Sequence, residues 1–106
     1  MNTEKAIIDH YTSGDLTEKV LTVTRRMAAN PDKLTVPELG VHDEFHIGGR
    51  RATEYFLAQL KLKPGMNVLD IGCGIGGSVR FAVSAYDVKA SGIDLTPEFI
   101  ATAVAL

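Results

Sequence analysis

Asp70, the glycines Gly72, Gly74, Gly76 and Gly77, and Asp94 are the residues whose types and spacing suit chemistry in this chain. A tight strand-to-helix turn needs backbone angles that a Cβ resists, and a missing side chain also lets a ligand touch the main chain. The glycine cluster meets both needs. A helix opening near Ser78 would point its free N–H groups into the same space. Asp94 lies 22 residues after Gly72, at the expected C-terminal end of a second strand. Neighbouring parallel strands end side by side, so Asp94 should face the turn and accept hydrogen bonds from both hydroxyls of a ribose. Leu95, the next residue, is placed to lie against a purine.

Two ligand classes fit this pattern. Gly72-x-Gly74-x-x-Gly77 satisfies the dinucleotide fingerprint, so NAD stays open. Asp70 argues the other way. A carboxylate two residues before the first glycine repels a pyrophosphate and suits a cationic, amine-bearing ligand. S-adenosyl-L-methionine carries a sulfonium and an ammonium and no phosphate, so the charge balance favours it.

The elements that must position these groups follow from periodicity and punctuation. Asn67 to Ile71 is apolar and too short for a helix, so it reads as a buried parallel strand. Ser78 to Tyr86 reads as the crossover helix and Val88 to Asp94 as the second strand. Thr96-Pro97-Glu98 opens another helix, with Phe99, Ile100, Ala103 and Val104 as its apolar face. Upstream, Thr3 to Tyr11 reads as a short helix. Asp15 with Glu18 has capping-box spacing, and Leu16, Val20, Val23 and Met27 share a helical face that reads as core. Asn30-Pro31 should end that helix. Pro31 to Gly49 reads as irregular. A helix resumes near Arg50, with Ala52, Phe56 and Leu60 on one face and Thr53 and Leu57 flanking it. Lys63-Pro64-Gly65 is a turn, which divides a helical cap or lid over residues 1–62 from a ligand-binding unit over 63–106.

Asp70-x-Gly72-x-Gly74-x-Gly76 with Gly92-x-Asp94 resembles the first two signature motifs of the Rossmann-like S-adenosylmethionine-dependent methyltransferases. The flanks Leu62–Gly77 and Gly92–Thr96 are similar to the branch holding sarcosine/dimethylglycine and phosphoethanolamine N-methyltransferases, with quinone-biosynthesis C-methyltransferases nearby. Phe45-His46-Ile47-Gly48-Gly49, followed by Ala52-Thr53, also resembles a segment of the small-amine methyltransferases. The likeness covers roughly residues 43 to 106. It implies an α/β fold in which N-terminal helices precede the first β-α-β-α units of a Rossmann-like methyltransferase sheet. It implies that Gly72, Cys73, Gly74 and Gly76 line the donor, and that Asp70 holds its amino group. Asp94 would take the ribose hydroxyls, Leu95 the adenine face, and His46 and Ile47 would form a lid over the methionyl end. The acceptor would be a small molecule, an amine among the candidates. No catalytic residue is assigned.

Composition bounds the alternatives. A 106-residue chain with a formal charge of -2 carries no nucleic-acid footprint. No apolar run approaches the roughly 18 residues of a membrane span, and the N-terminus lacks the order of a secretory signal. Cytoplasm is therefore the expected compartment. Cys73 is the sole cysteine, and it reads as a packing residue rather than a nucleophile. His42 and His46 have metal-pair spacing only if helical, and no metal is expected. His10 reads as interfacial core, and Arg50-Arg51 as a solvated helix start. Two strands cannot bury a parallel sheet well. The chain thus reads as a truncated piece of a longer enzyme with weak or no turnover alone. Its uncovered apolar surfaces leave self-association or partner binding as the competing reading.

Overall fold

The computed structural model describes residues 2–44 and 46–106. Phe45, the first residue of the Phe45–Gly49 string, lies outside the described residues. Among the described residues, six helices and two strands follow in order: α1 Thr3–Tyr11, α2 Leu16–Met27, α3 Val36–Leu39, α4 Gly49–Gln59, β1 Asn67–Ile71, α5 Gly77–Tyr86, β2 Lys89–Ile93 and α6 Pro97–Ala105.

The strands pair in parallel, with Asn67 opposite Lys89 and Ile71 opposite Ile93. Val68 and Ala90 face the core formed by Leu57 of α4, Ala82 of α5 and Val88, around which Leu62, Phe81 and Tyr86 pack. The outward residues Leu69, Ile71 and Ile93 are exposed. The expectation of a strand buried on both sides is therefore corrected: each strand alternates between exposed and half-buried residues. The pleat sends successive side chains to opposite faces, and α4 and α5 cover only one of them.

The helical half departs from its periodicity in several places. α1 buries no residue, and His10 lies on the surface edge-on to Tyr11 instead of in an interface. On α2, Val20 and Thr24 are buried while Val23 and Met27 are exposed, so half of the expected core stripe stays uncovered. α2 ends at Met27, three residues before the proline pair, with extended backbone at Ala28. On α6, Thr102 is the buried residue and Val104 is exposed. On α4, Thr53 and Leu57 turn inward. The Ala52-Phe56-Leu60 stripe lines a cavity of about 320 Å³ together with Thr53 and Leu57, and Phe56 and Leu60 stay exposed.

Two capping expectations change for stated reasons. Asp15 is the N-cap of α2 but makes no capping hydrogen bond; its carboxylate pairs with Lys19 Nζ at 2.9 Å. The start of α2 is held by Glu98 of α6, which accepts from the Ser13 N–H at 2.6 Å and the Leu16 N–H at 3.1 Å. A side-chain cap does form within the supposedly irregular segment, at α3, where Glu38 reaches back to Thr35. The Thr35 N–H donates to Glu38 Oε2 at 2.8 Å, and the Thr35 hydroxyl reaches the same oxygen at 2.7 Å.

The Leu16 and Ser13 amides hold the Glu98 carboxyl below its ordinary range. A lowered folded pKa contributes stability above the unfolded value, and that stability is lost as pH falls through the folded one. Glu98→Gln should accordingly lower the melting temperature at neutral pH and narrow the gap to wild type as the solution is acidified. Melting curves against pH check this, and a pH-independent gap would contradict it.

Candidate donor site

The glycine turn is tied to the end of β2 by its own amides. Gly72, Gly74 and Gly76 have φ of 78°, 57° and 87°, the left-handed region that L side chains resist. Those angles rotate successive N–H groups toward the neighbouring strand. The Gly72 and Cys73 N–H groups both donate to the Ile93 carbonyl, at 2.8 and 2.9 Å. The Gly76 N–H donates to the Cys73 carbonyl at 3.0 Å. The Gly74 N–H donates to Asp94 Oδ2 at 2.9 Å. A phosphate cradle needs such N–H groups free and convergent. Here they are already committed within the protein, so the turn offers a ligand bare Cα surface and carbonyl oxygens.

Asp94 sits where its spacing predicted, at the C-terminal end of β2 against the turn. Its second oxygen accepts from the Thr96 N–H at 2.9 Å. Each carboxylate oxygen thus holds one backbone amide and keeps a further lone pair for a ligand. Asp70 differs. It lies on the inward face of β1, in register with Gly92, and its carboxylate makes no hydrogen bond among the described residues. Burial first, and the nearby Asp94 charge second, push its carboxyl above the ordinary range, while His46 pulls the other way. In such a half-buried carboxylate, with no hydrogen-bond donor and a like charge close by, a cation would favour the ionised form.

The other expected residues divide. His46 lines the cavity with Asp70, and its Nε2 lies 3.1 Å from the Thr53 hydroxyl. Ile47 is 100% exposed and Leu95 53%; neither lines that cavity. Cys73 packs against Gly92, where a Cβ would fall 2.7 Å from both its Cβ and its Sγ. Burial, then the Asp70 and Asp94 charges, push its thiol up, the direction opposite to that of an activated nucleophile. His42 and His46 are not on a helix, so the one-turn metal-pair geometry does not form.

An ionic network behind the turn was not anticipated. Asp43 is 3% exposed. Its carboxylate meets Arg80 Nη2 at 3.1 Å and Arg50 Nη2 at 3.6 Å. Arg80 also donates to the Ile75 carbonyl at 2.7 Å and the Ala103 carbonyl at 3.4 Å, linking the turn to α6. Arg50 pairs with Glu44 at 3.1 Å and lies over the Phe81 ring, 4.6 Å from its centre. Arg50 is thus a mostly buried cation and not the start of a solvated helix. The sequence signs of this network were glycines: a Cβ on Gly77 would meet Asp43 Oδ1 at 2.5 Å, and one on Gly40 would meet Arg50 Nη2 at 2.5 Å.

Known proteins are similar to this chain in sequence and fold. Phosphoethanolamine N-methyltransferase 1 of Arabidopsis thaliana is 44% identical over 57 residues, 54% of this chain and 12% of that protein. Cyclopropane-fatty-acyl-phospholipid synthase of Escherichia coli K12 is 52% identical over 40 residues, 38% of this chain and 10% of the synthase. This chain therefore spans about a tenth of the length of these relatives. Haemonchus contortus phosphoethanolamine N-methyltransferase 2, solved with phosphomonomethylethanolamine and S-adenosylhomocysteine, superposes with a TM-score of 0.66 at 23% identity. That match covers 99% of this chain and 21% of that one, and it shows a common fold. The same enzyme with S-adenosyl-L-methionine gives a TM-score of 0.58 at 32% identity over 60% of this chain and 15% of that one. The family described as mycolic acid cyclopropane synthetase matches residues 43–105, from the buried Asp43 through the glycine turn and Asp94 to the end of α6. That match covers more than half of the sequence, and by it the chain belongs to the mycolic acid cyclopropane synthetase family.

Proposed function

We propose that this chain carries the donor-binding part of an S-adenosyl-L-methionine-dependent methyltransferase whose acceptor is a small molecule, an amine being the favoured class. One observation supports the reading above the others. The Gly72, Cys73, Gly74 and Gly76 amides are bonded internally, while the carboxylates of Asp70 and Asp94 stand at the strand ends. That polarity suits a sulfonium and an ammonium and opposes a pyrophosphate. The nicotinamide alternative loses its physical basis by the same argument. The relatives named phosphoethanolamine N-methyltransferase support the small-molecule acceptor.

In this reading Asp94 accepts from the ribose hydroxyls through the lone pairs its two amide bonds leave free. Asp70 receives the ammonium group. Gly72, Cys73, Gly74 and Gly76 line the donor with main-chain surface, Leu95 meets the adenine, and His46 with Ile47 closes over the methionyl end. When bound, the donor supplies a methyl group on a positively charged sulfur, open to in-line attack by the acceptor's lone pair. The protein's own work is alignment and the exclusion of water.

Calorimetric titration of the purified chain with S-adenosylhomocysteine and with NAD tests the assignment. Binding of the first and silence from the second is the expected result; the reverse would overturn it. The raised Asp70 pKa adds a sign. Only the ionised carboxylate attracts the ammonium, so affinity should climb as pH rises through that elevated pKa and then level off. Asp70→Asn should flatten this profile.

A further inference from the structure

We infer that Thr53 is a positioning residue of the proposed donor site: its hydroxyl fixes the His46 ring so that Nδ1–H is presented, beside Asp70, to the carboxylate of the donor's amino-acid end. The inference rests on the donor-binding reading and extends it to a helix residue to which that reading gave no part.

His46 lies in the loop before α4 and is exposed. The chain folds back onto α4 at its N-cap, Gly48, whose φ of 89° belongs to the left-handed region. The approach there is close: a Cβ on Gly48 would lie 2.9 Å from the Ala52 Cβ. The Gly49 N–H closes the turn by donating to the His46 carbonyl at 3.2 Å. That reversal lays the His46 ring along α4, and its Nε2 comes within 3.1 Å of the Thr53 hydroxyl. Among the described residues, Thr53 is the ring's one side-chain hydrogen-bond partner. Thr53 is 5% exposed, and its helix packs on the core through Leu57. A buried helix residue thus anchors an exposed loop ring.

His46, Thr53 and Asp70 line one cavity. Which nitrogen of a neutral imidazole carries the proton is set by the bond that the other makes. A Thr53 hydroxyl donating to Nε2 leaves the proton on Nδ1. That atom lies 3.4 Å from the Ile47 carbonyl, a long contact that a ligand carboxylate can replace with a shorter, charge-assisted one. The donor's amino-acid end carries an ammonium and a carboxylate. Asp70 suits the first and Nδ1–H the second. Thr53 touches neither group and acts through the ring.

Two ligands titrated calorimetrically test the inference: S-adenosylhomocysteine, and methylthioadenosine, which lacks the amino-acid end. The proteins are wild type, Thr53→Val, Thr53→Ser, His46→Ala and the double variant His46→Ala with Thr53→Val. Valine keeps the shape of threonine and removes the hydroxyl. Thr53→Val should weaken S-adenosylhomocysteine about 5-fold, the order of one neutral hydrogen bond, and leave methylthioadenosine unchanged. Thr53→Ser, which keeps the hydroxyl, should restore the affinity, and a serine variant as weak as the valine one overturns the inference. In the absence of His46, Thr53→Val should cost nothing further. Equal weakening of both ligands, or a loss that persists without His46, marks a merely structural role and overturns the inference. Undiminished S-adenosylhomocysteine binding to folded Thr53→Val or His46→Ala overturns it too. If wild type binds methylthioadenosine too weakly to measure, the double variant decides. If Thr53→Val or the double variant does not fold, as judged by circular dichroism, wild type decides. Long-range proton–nitrogen spectra of its S-adenosylhomocysteine complex, in mildly alkaline solution, should place the His46 ring proton on Nδ1, and a proton on Nε2 overturns the inference. Should wild type bind no S-adenosylhomocysteine, the donor reading fails and the role of Thr53 with it; a failure confined to the variants leaves that reading standing.

Discussion

Gly77→Ala is expected to destabilise the chain by about 3 kcal/mol, the upper part of the range for forcing a methyl into a packed site. The first residue of α5 has ordinary helical backbone, so the cost is not conformational strain. It comes from position. The added Cβ would meet Asp43 Oδ1 at 2.5 Å and the Asp43 main-chain oxygen at 2.6 Å. A long side chain could swing aside, but Asp43 is tied to Arg80 and Arg50, and its main chain cannot withdraw without moving the segment leading to His46. Thermal melting followed by circular dichroism should show a fall on the order of 12 °C or more for a domain of this size. Gly72→Ala is the informative contrast. There a Cβ meets nothing within 4 Å, and the penalty is that of a left-handed φ alone, +78°, about 1–2 kcal/mol. If the two variants melt together, the close approach of Asp43 to α5 is not real.

That contrast bears on what could be read from sequence. Features written within a few residues of one another were legible. β1 occupies the expected Asn67–Ile71, α1 the expected Thr3–Tyr11, and α6 starts after Thr96 with Pro97 in its first turn. The approach of Asp94 to the glycine turn was legible too, because parallel strands of equal length end together. Partners distant in sequence were not. Glu98 takes the start of α2 from 82 and 85 positions away, so the local Asp15–Glu18 spacing had no vacancy to fill. Asp43 and Arg80 are 37 positions apart, and neither residue type announces burial. Adjacent helical stripes posed a third difficulty. Ala52-Phe56-Leu60 and Thr53-Leu57 differ by 100° around α4, and only the tilt of the helix on the sheet decides that the second points inward. The Thr35–Glu38 cap, by contrast, was local and visible; the surrounding prolines and glycines masked a helix of four residues.

Asp94→Asn should have the largest effect on ligand binding, with S-adenosylhomocysteine affinity falling at least about 100-fold, equivalent to about 2.7 kcal/mol. The reason is that, in the proposed reading, this carboxylate serves the fold and the ligand with the same two oxygens. One accepts from Gly74 and the other from Thr96. An amide has a single acceptor oxygen, so in either orientation its NH2 faces a backbone N–H. One charge-assisted bond is lost, about 1.5–3 kcal/mol by itself, and a ribose hydroxyl loses its acceptor. Asp70→Asn should act differently. Asp70 holds no backbone group and already bears a desolvation cost beside Asp94, so neutralising it should leave the melting temperature unchanged or raised while donor affinity falls about 10-fold, the order of one charged hydrogen bond. Asp94→Asn therefore lowers stability and Asp70→Asn does not, while both lower affinity. This pattern separates a ligand-binding pair from a structural one, since two purely structural carboxylates would lose binding only in proportion to folding. Undiminished affinity in the folded double variant would mean that the donor is held elsewhere.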